Sequence, residues 1–206
     1  MLVTTAGAQS DEEVDPVLDF YCKRARAVFK STDPVERGIA FSILAHTVHK
    51  TIGNGGRSVA VDSATTRYFF SFGEPDSLVT QGSVGGGQLK PSLWPPNVFE
   101  GDYAFNFFPN DTGGSDLSIG FDTRSYEDSL PVGIAIIDRE RCFLKQLYLY
   151  YPFVSGHRRF TRSFRFVQKD GFTFPDSIWV VGSKQGVFGA DHYRIETGIS
   201  EIEVRR

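Results

Sequence analysis

Two periodicities divide the chain. Between Asp11 and Lys30 apolar side chains recur at Val14, Val17, Leu18, Tyr21, Cys22, Ala25, Val28 and Phe29, the three-and-four spacing of one buried helical stripe. Acids crowd its start (Asp11, Glu12, Glu13, Asp15) and bases its end (Lys23, Arg24, Arg26, Lys30), the order that the helix dipole favours. Pro16 suits a first turn, which puts the helix start near Asp15. Ser31-Thr32-Asp33-Pro34 ends it.

After Gly38 the period changes to two. Ile39–Ile52 is rich in β-branched and apolar residues and runs into Gly53-Asn54-Gly55-Gly56, a turn able to take positive φ. Arg57–Asp62 and Thr66–Phe72 are the next two strands. Tyr103–Phe108, Leu117–Thr123, Gly133–Asp138, Phe143–Tyr151, Arg159–Lys169, Ser177–Ser183 and Tyr193–Val204 follow. Their connectors carry turn residues, as in Asn110-Asp111-Thr112-Gly113-Gly114, Lys169-Asp170-Gly171 and Ser183-Lys184-Gln185-Gly186. Connectors this short join antiparallel neighbours, because parallel crossovers need a dozen residues or more. The fold class is therefore mainly β (α+β), an N-terminal amphipathic helix on a large curved antiparallel sheet or half-open β-barrel of about nine to eleven strands.

Between Gly73 and Gly101 the alternation stops. Gly85-Gly86-Gly87 and Pro91-Ser92-Leu93-Trp94-Pro95-Pro96 read as an irregular loop, of the length that is functional or mobile in other domains. It is not a domain boundary, since one helix and three strands before it make too small a core. The expected organisation is a tail or signal-peptide remnant over 1–10 and a single domain over 11–206.

Composition sharpens the geometry. Nineteen Phe, 8 Tyr and 2 Trp make 14 % of the 206 residues, and alternation puts the rings on one face. Phe160, Phe164 and Phe166 oppose Arg159, Thr161, Ser163 and Arg165, while Tyr193, Ile195, Thr197 and Ile199 alternate with His192, Arg194, Glu196 and Ser200. One amphipathic helix covers only part of such a face. The remainder is either filled by its own rings or left as an apolar cavity lined by Tyr68, Phe70, Phe105, Phe107, Ile119, Phe121, Phe164 and Phe166. Trp94 is a mobile gate or membrane-touching tip, or else a loop anchor packed into the core.

Hydrophobic residues at 40 % and charged residues at 23 % are globular proportions. The formal charge of −3 excludes an ordinary nucleic-acid binder. No apolar run approaches the ~20 residues of a transmembrane helix. Ala6-Gly7-Ala8 has the small-x-small pattern of a signal-peptidase site, which makes an export remnant and a plain tail the two readings of the N-terminus. Cys22 and Cys142 show no metal spacing and are either two separate thiols or, in an exported protein, a disulfide. From Arg139 onward 12 Lys/Arg face 7 Asp/Glu, against 10 and 18 before it, and His157-Arg158-Arg159 with Arg162 and Arg165 is the densest basic run. That asymmetry either attracts an anionic head group or acidic partner, or is a solvated strand face.

One N-terminal helix, a long antiparallel meander and an irregular mid-chain segment are similar to the LolA/LolB superfamily of lipoprotein carriers. So is the turn and strand Lys169-Asp170-Gly171-Phe172-Thr173-Phe174-Pro175-Asp176-Ser177-Ile178-Trp179-Val180-Val181. The resemblance spans roughly Val14–Val204 as a pattern of elements. It implies a half-open barrel, capped by helices, that holds lipoprotein acyl chains in a hydrophobic cavity. It also implies an exported, periplasmic location and a membrane-associated protein partner. The family's mid-chain lid is helical, unlike the Gly/Pro-rich 73–101. Its inward Arg on an early strand corresponds by position to Arg67.

Catalytic signatures are absent. The sequence holds no HExxH, no G-x-S-x-G and no Walker loop. His46 and His49, three apart on a strand, point to opposite faces and do not share a metal ion. No cofactor is expected. Arg67, Arg162 and His46 are the inward polar candidates, with Arg67 and Arg162 as polar contacts to a ligand. The leading expectation is an exported, non-enzymatic carrier of a lipid or acylated ligand. The alternatives are an interaction module with a packed core and, more weakly, an enzyme with an apolar pocket.

Overall fold

A computed structural model describes residues 15–53, 57–71, 74–83, 93–101, 103–108, 114–123, 130–186 and 189–205; over 74–83, 185–186 and 189–190 it describes the strand path alone. The expected tail or signal remnant over 1–10 lies outside these residues.

Helix α1 spans Pro16–Thr32. The Asp15 carboxylate accepts the backbone N–H groups of Val17 at 2.8 Å and Leu18 at 3.3 Å, so a polar side chain pairs donors that the first turn leaves open. Leu18, Ala25 and Phe29 form the buried stripe, with Tyr21, Cys22 and Val28 beside it. Val17, counted in that stripe from its spacing, is 55 % exposed.

Ten strands follow: β1 (Phe41–Ile52), β2 (Ser58–Ser71), β3 (Glu74–Ser83), β4 (Tyr103–Phe107), β5 (Asp116–Thr123), β6 (Val132–Asp138), β7 (Leu144–Tyr151), β8 (His157–Lys169), β9 (Phe172–Gly186) and β10 (Gly189–Val204). They form one antiparallel sheet in the order β3-β2-β1-β10-β9-β8-β7-β6-β5-β4. β3 and β4 are its two edges, so the barrel does not close. Asp170 (φ 53°) and Gly171 (φ 82°) make the two-residue β8–β9 turn, where both positions need positive φ.

Three expectations from the sequence are corrected. The two strands expected over 57–72 are one continuous strand, because all of β1 pairs along it from Phe41↔Phe70 to Ile52↔Ser58. The loop expected over 73–101 begins with β3. Pro75 is admissible there because an edge strand needs only half its N–H groups, and the register shifts beside it. β9 starts at Phe172 rather than Ser177. Its Pro175 precedes the stretch that pairs with β10, which begins at Ser177↔Gly198, so no N–H is wanted on that side.

The sheet curves. Trp94 meets Phe70 of β2 at 6.1 Å between ring centroids, and Phe99 meets Phe105 of β4 at 6.3 Å. On a flat sheet those strands, eight apart, would be about 38 Å distant, whereas five residues of chain reach at most about 18 Å. The concave face is the apolar one. One main core joins α1, the segment Leu93–Phe99 and residues from every side-chain-described strand. At its centre Phe41 stacks on Phe70 at 4.4 Å and meets Phe174 at 5.3 Å and Trp94 at 5.6 Å.

Phe41→Ala should therefore cost about 3–5 kcal/mol, read as a lowered urea midpoint at an unchanged slope.

Candidate functional site

The concave face has two halves along the strands. The hairpin turns β1–β2, β5–β6, β7–β8 and β9–β10 lie at one end, the mouth. The main core lies towards the other end, beneath α1 and Leu93–Phe99. Phe70, Ile119, Phe121, Phe164 and Phe166 are all buried in that core, and Tyr68, Phe105 and Phe107 are half-buried against it. Strand alternation thus brings the eight expected lining residues to one face, but there they pack against helix and segment. Gly182 and the turn-end residues His49, His157 and Tyr193 shape the other half; of these the sequence marked His157 as the head of the basic run, weighed His49 only as a metal ligand, placed Tyr193 only by alternation and did not mark Gly182.

Asp33 holds the covering segment in place. It is 4 % exposed, caps the end of α1 through its N–H to Phe29 at 2.8 Å, and accepts the Val35 N–H at 2.8 Å. Both carboxylate oxygens also receive the Trp94 indole N–H at 3.1 Å. Arg26 donates to the Phe99 carbonyl, and Lys30 pairs with Glu100. Trp94 is a core anchor in this structure and not an exposed gate or tip.

Towards the mouth, Val180, Tyr193 and Ile195, with Phe160 against them, form a second buried cluster on the same face. Thr47 and Thr197, hydroxyl to hydroxyl at 3.0 Å, lie between the two clusters. So does Arg162, whose guanidinium sits 4.9 Å from the Phe164 ring centroid. Arg162 is therefore on the face expected of it. Tyr193 lies over Gly182, where a Cβ would overlap the ring. Its hydroxyl is 2.9 Å from His157 Nε2, its ring centroid is 5.9 Å from that of His49, and Lys184 Nζ lies 5.7 Å from it. Burial pushes the Tyr193 phenol up to about 12, so it stays protonated.

Arg67 is on the opposite, convex face, where it pairs with Glu201, the bulged residue of β10 (φ 47°). The expectation that it points inward fails by parity, since Tyr68 beside it takes the core side. His46 is also convex and meets Thr65 at 3.1 Å. The basic run is split by the same alternation: Arg165 pairs outward with Asp176 at 2.7 Å while Arg162 points inward. Cys22 and Cys142 are free thiols, and burial pushes the Cys22 thiol up to about 11. Among the described residues no group of three or more His, Cys, Asp and Glu is placed to hold a metal ion, and no helix is long and apolar enough to cross a membrane.

No family model and no curated protein matches the sequence. Solved structures do. A putative outer membrane lipoprotein-sorting protein domain from Vibrio parahaemolyticus aligns at TM-score 0.51 and 10 % identity, over 91 % of this chain and 93 % of that one. A LolA superfamily protein from Nitrosomonas europaea aligns at TM-score 0.39 and 12 % identity, over 92 % and 94 %. The fold is LolA-like. A chain of the Pseudomonas aeruginosa MucA/MucB complex aligns at TM-score 0.28 and 10 % identity, over 88 % and 99 %. At these identities the likeness reaches the LolA-like fold and no further.

Burial raises the Asp33 carboxyl above 3.8, although the N–H groups of Trp94, Val35 and Glu36 pull it down. The folded chain then takes up this proton before the unfolded chain does. Asp33 contributes stability that is full below pH 3.8 and is lost as pH rises through its folded value. Urea unfolding of the wild type and Asp33→Asn should show their stability difference moving in favour of the wild type on acidification. A flat difference, or the opposite slope, contradicts this.

Proposed function

We propose that this protein is an exported, non-enzymatic carrier that holds a lipid or acylated ligand against the mouth half of the concave face. The observation that carries the proposal is the second apolar cluster, Val180, Tyr193, Ile195 and Phe160, set apart from the main core and away from the helix-covered end. Likeness of fold to a lipoprotein-sorting domain supports the same reading. Tyr68, Phe105 and Phe107 stand half-buried beside the main core, and Phe70, Ile119, Phe121, Phe164 and Phe166 are buried in it, so these eight join the lining only if Leu93–Phe99 moves.

Binding is proposed rather than phenolate catalysis. The Tyr193 phenol is pushed up to about 12, away from a phenolate nucleophile.

Native mass spectrometry of gently purified protein, paired with organic extraction and lipid analysis, tests the proposal. The expected result is a population heavier than the chain by the mass of a lipid, lost in Val180→Glu. A clean apo mass together with no uptake of an added fluorescent lipid would refute it.

A second reading has its own observation. Tyr148 and Tyr150 of β7 and Val181 of β9 lie exposed on the convex face on either side of β8, 45 %, 43 % and 39 %, where a protein partner could dock.

A further inference from the structure

The polar groups at the mouth have a fixed hydrogen-bond order. His157 Nδ1 is 3.1 Å from the Ser155 carbonyl oxygen. A carbonyl only accepts, so Nδ1 carries the hydrogen. In the neutral ring Nε2 is then a bare acceptor, and the Tyr193 hydroxyl at 2.9 Å donates to it. The phenol hydrogen is spent on His157, and only oxygen lone pairs face the apolar cluster.

Protonation of His157 reverses the bond. Nε2–H then donates to the phenol oxygen, and the phenol O–H is free to turn outward as a donor. The same event adds a positive charge beside it. His49, one strand over from Tyr193, has a buried Nδ1 with no hydrogen-bond partner, and a ligand atom that pairs with it relieves that unmet group. Gly182 of β9 leaves room for the Tyr193 ring to lie across that strand, so the hydroxyl reaches His157 on β8.

The charged groups facing this spot are spread over five strands. His49 is on β1 and Asp62 is in register with it on β2. Asp191 and Tyr193 are on β10, with Asp191 in register with Lys184 on β9. His157 and Arg162 are on β8. With both histidines neutral, Lys184 and Arg162 offset Asp62 and Asp191. Each histidine proton tips the balance positive.

We propose that Tyr193, His157 and His49 form a head-group subsite for the carboxylate of a long-chain fatty acid, with the alkyl tail on Val180, Ile195 and Phe160. The subsite rests on the carrier function proposed above and adds to it a class of ligand and a direction of pH dependence. Neutral pH presents acceptors that repel a carboxylate, and acidification presents donors and positive charge that hold it.

Two fluorescent probes separate the subsite from the carrier function: cis-parinaric acid and its methyl ester, titrated into the full chain at about pH 8 and about pH 6. The acid should bind about tenfold tighter than the ester at the lower pH, and the acid-to-ester affinity ratio should fall as pH rises. Tyr193→Phe and His157→Gln should each bring the ratio towards one at the lower pH. Sodium acetate in excess should compete with the acid and leave the ester bound. Equal affinities for acid and ester in the wild type, or a ratio unmoved in both variants, overturn the subsite and leave the carrier function standing. If neither probe binds, both fall. Should Tyr193→Phe fail to fold, the wild-type ratio and His157→Gln decide alone.

Discussion

A single buried carboxylate joins the parts of this structure that the sheet cannot hold by itself. Asp33 caps α1, turns the chain towards β1 through the Val35 N–H, and grips Trp94 from a segment that lies 61 residues later. Each of these contacts is a modest hydrogen bond, but all of them meet at one residue, which donates its N–H to Phe29 and accepts from Val35 and Trp94 through its carboxylate, so they stand or fall together. Without them the rings of Phe41, Phe70 and Phe174 would lose their cover. A ten-stranded open sheet with an apolar concave face needs such cover, because its edges do not meet to close it off.

That cover is partial, and the partition gives the face its chemistry. The end under α1 is packed as a protein interior is packed. The mouth end keeps its own apolar cluster, but polar side chains interrupt the run of hydrophobic neighbours between the two. Thr47 and Thr197 satisfy each other there, so the belt costs little in lost hydrogen bonds. Tyr193 is the hinge of the mouth. It is buried enough to keep its phenol protonated and close enough to His157 for the two to exchange donor and acceptor roles.

Much of the architecture was legible in the chain. Asp15-Pro16 signalled the helix start, Lys169-Asp170-Gly171 the tight turn, and period two the ring-bearing faces of β5, β8 and β10. The errors have physical causes. The expected strands left out β3, which holds Pro75, and the start of β9, which holds Pro175, because the pattern does not say which N–H groups a strand must use. Ser63-Ala64-Thr65 read as a gap because β2 is held there by its pairing with β1 rather than by propensity. Of the candidate site, Arg162 lies on the concave face beside Phe164. Arg67 failed because its assignment came from position along the chain and not from the face of its neighbour Tyr68.

The sequence by itself determined the one helix, the antiparallel meander and the concentration of Phe on one face, since periodicity and turn residues act locally. Only the tertiary structure decided which part of that face is filled. Trp94 reaches Asp33, and His49, His157, Lys184 and Tyr193 converge from four different strands, through curvature and register that accumulate across the sheet. Contacts of that range leave no local trace in the spacing of residues, because loop closure and sheet twist set them together and not any one segment.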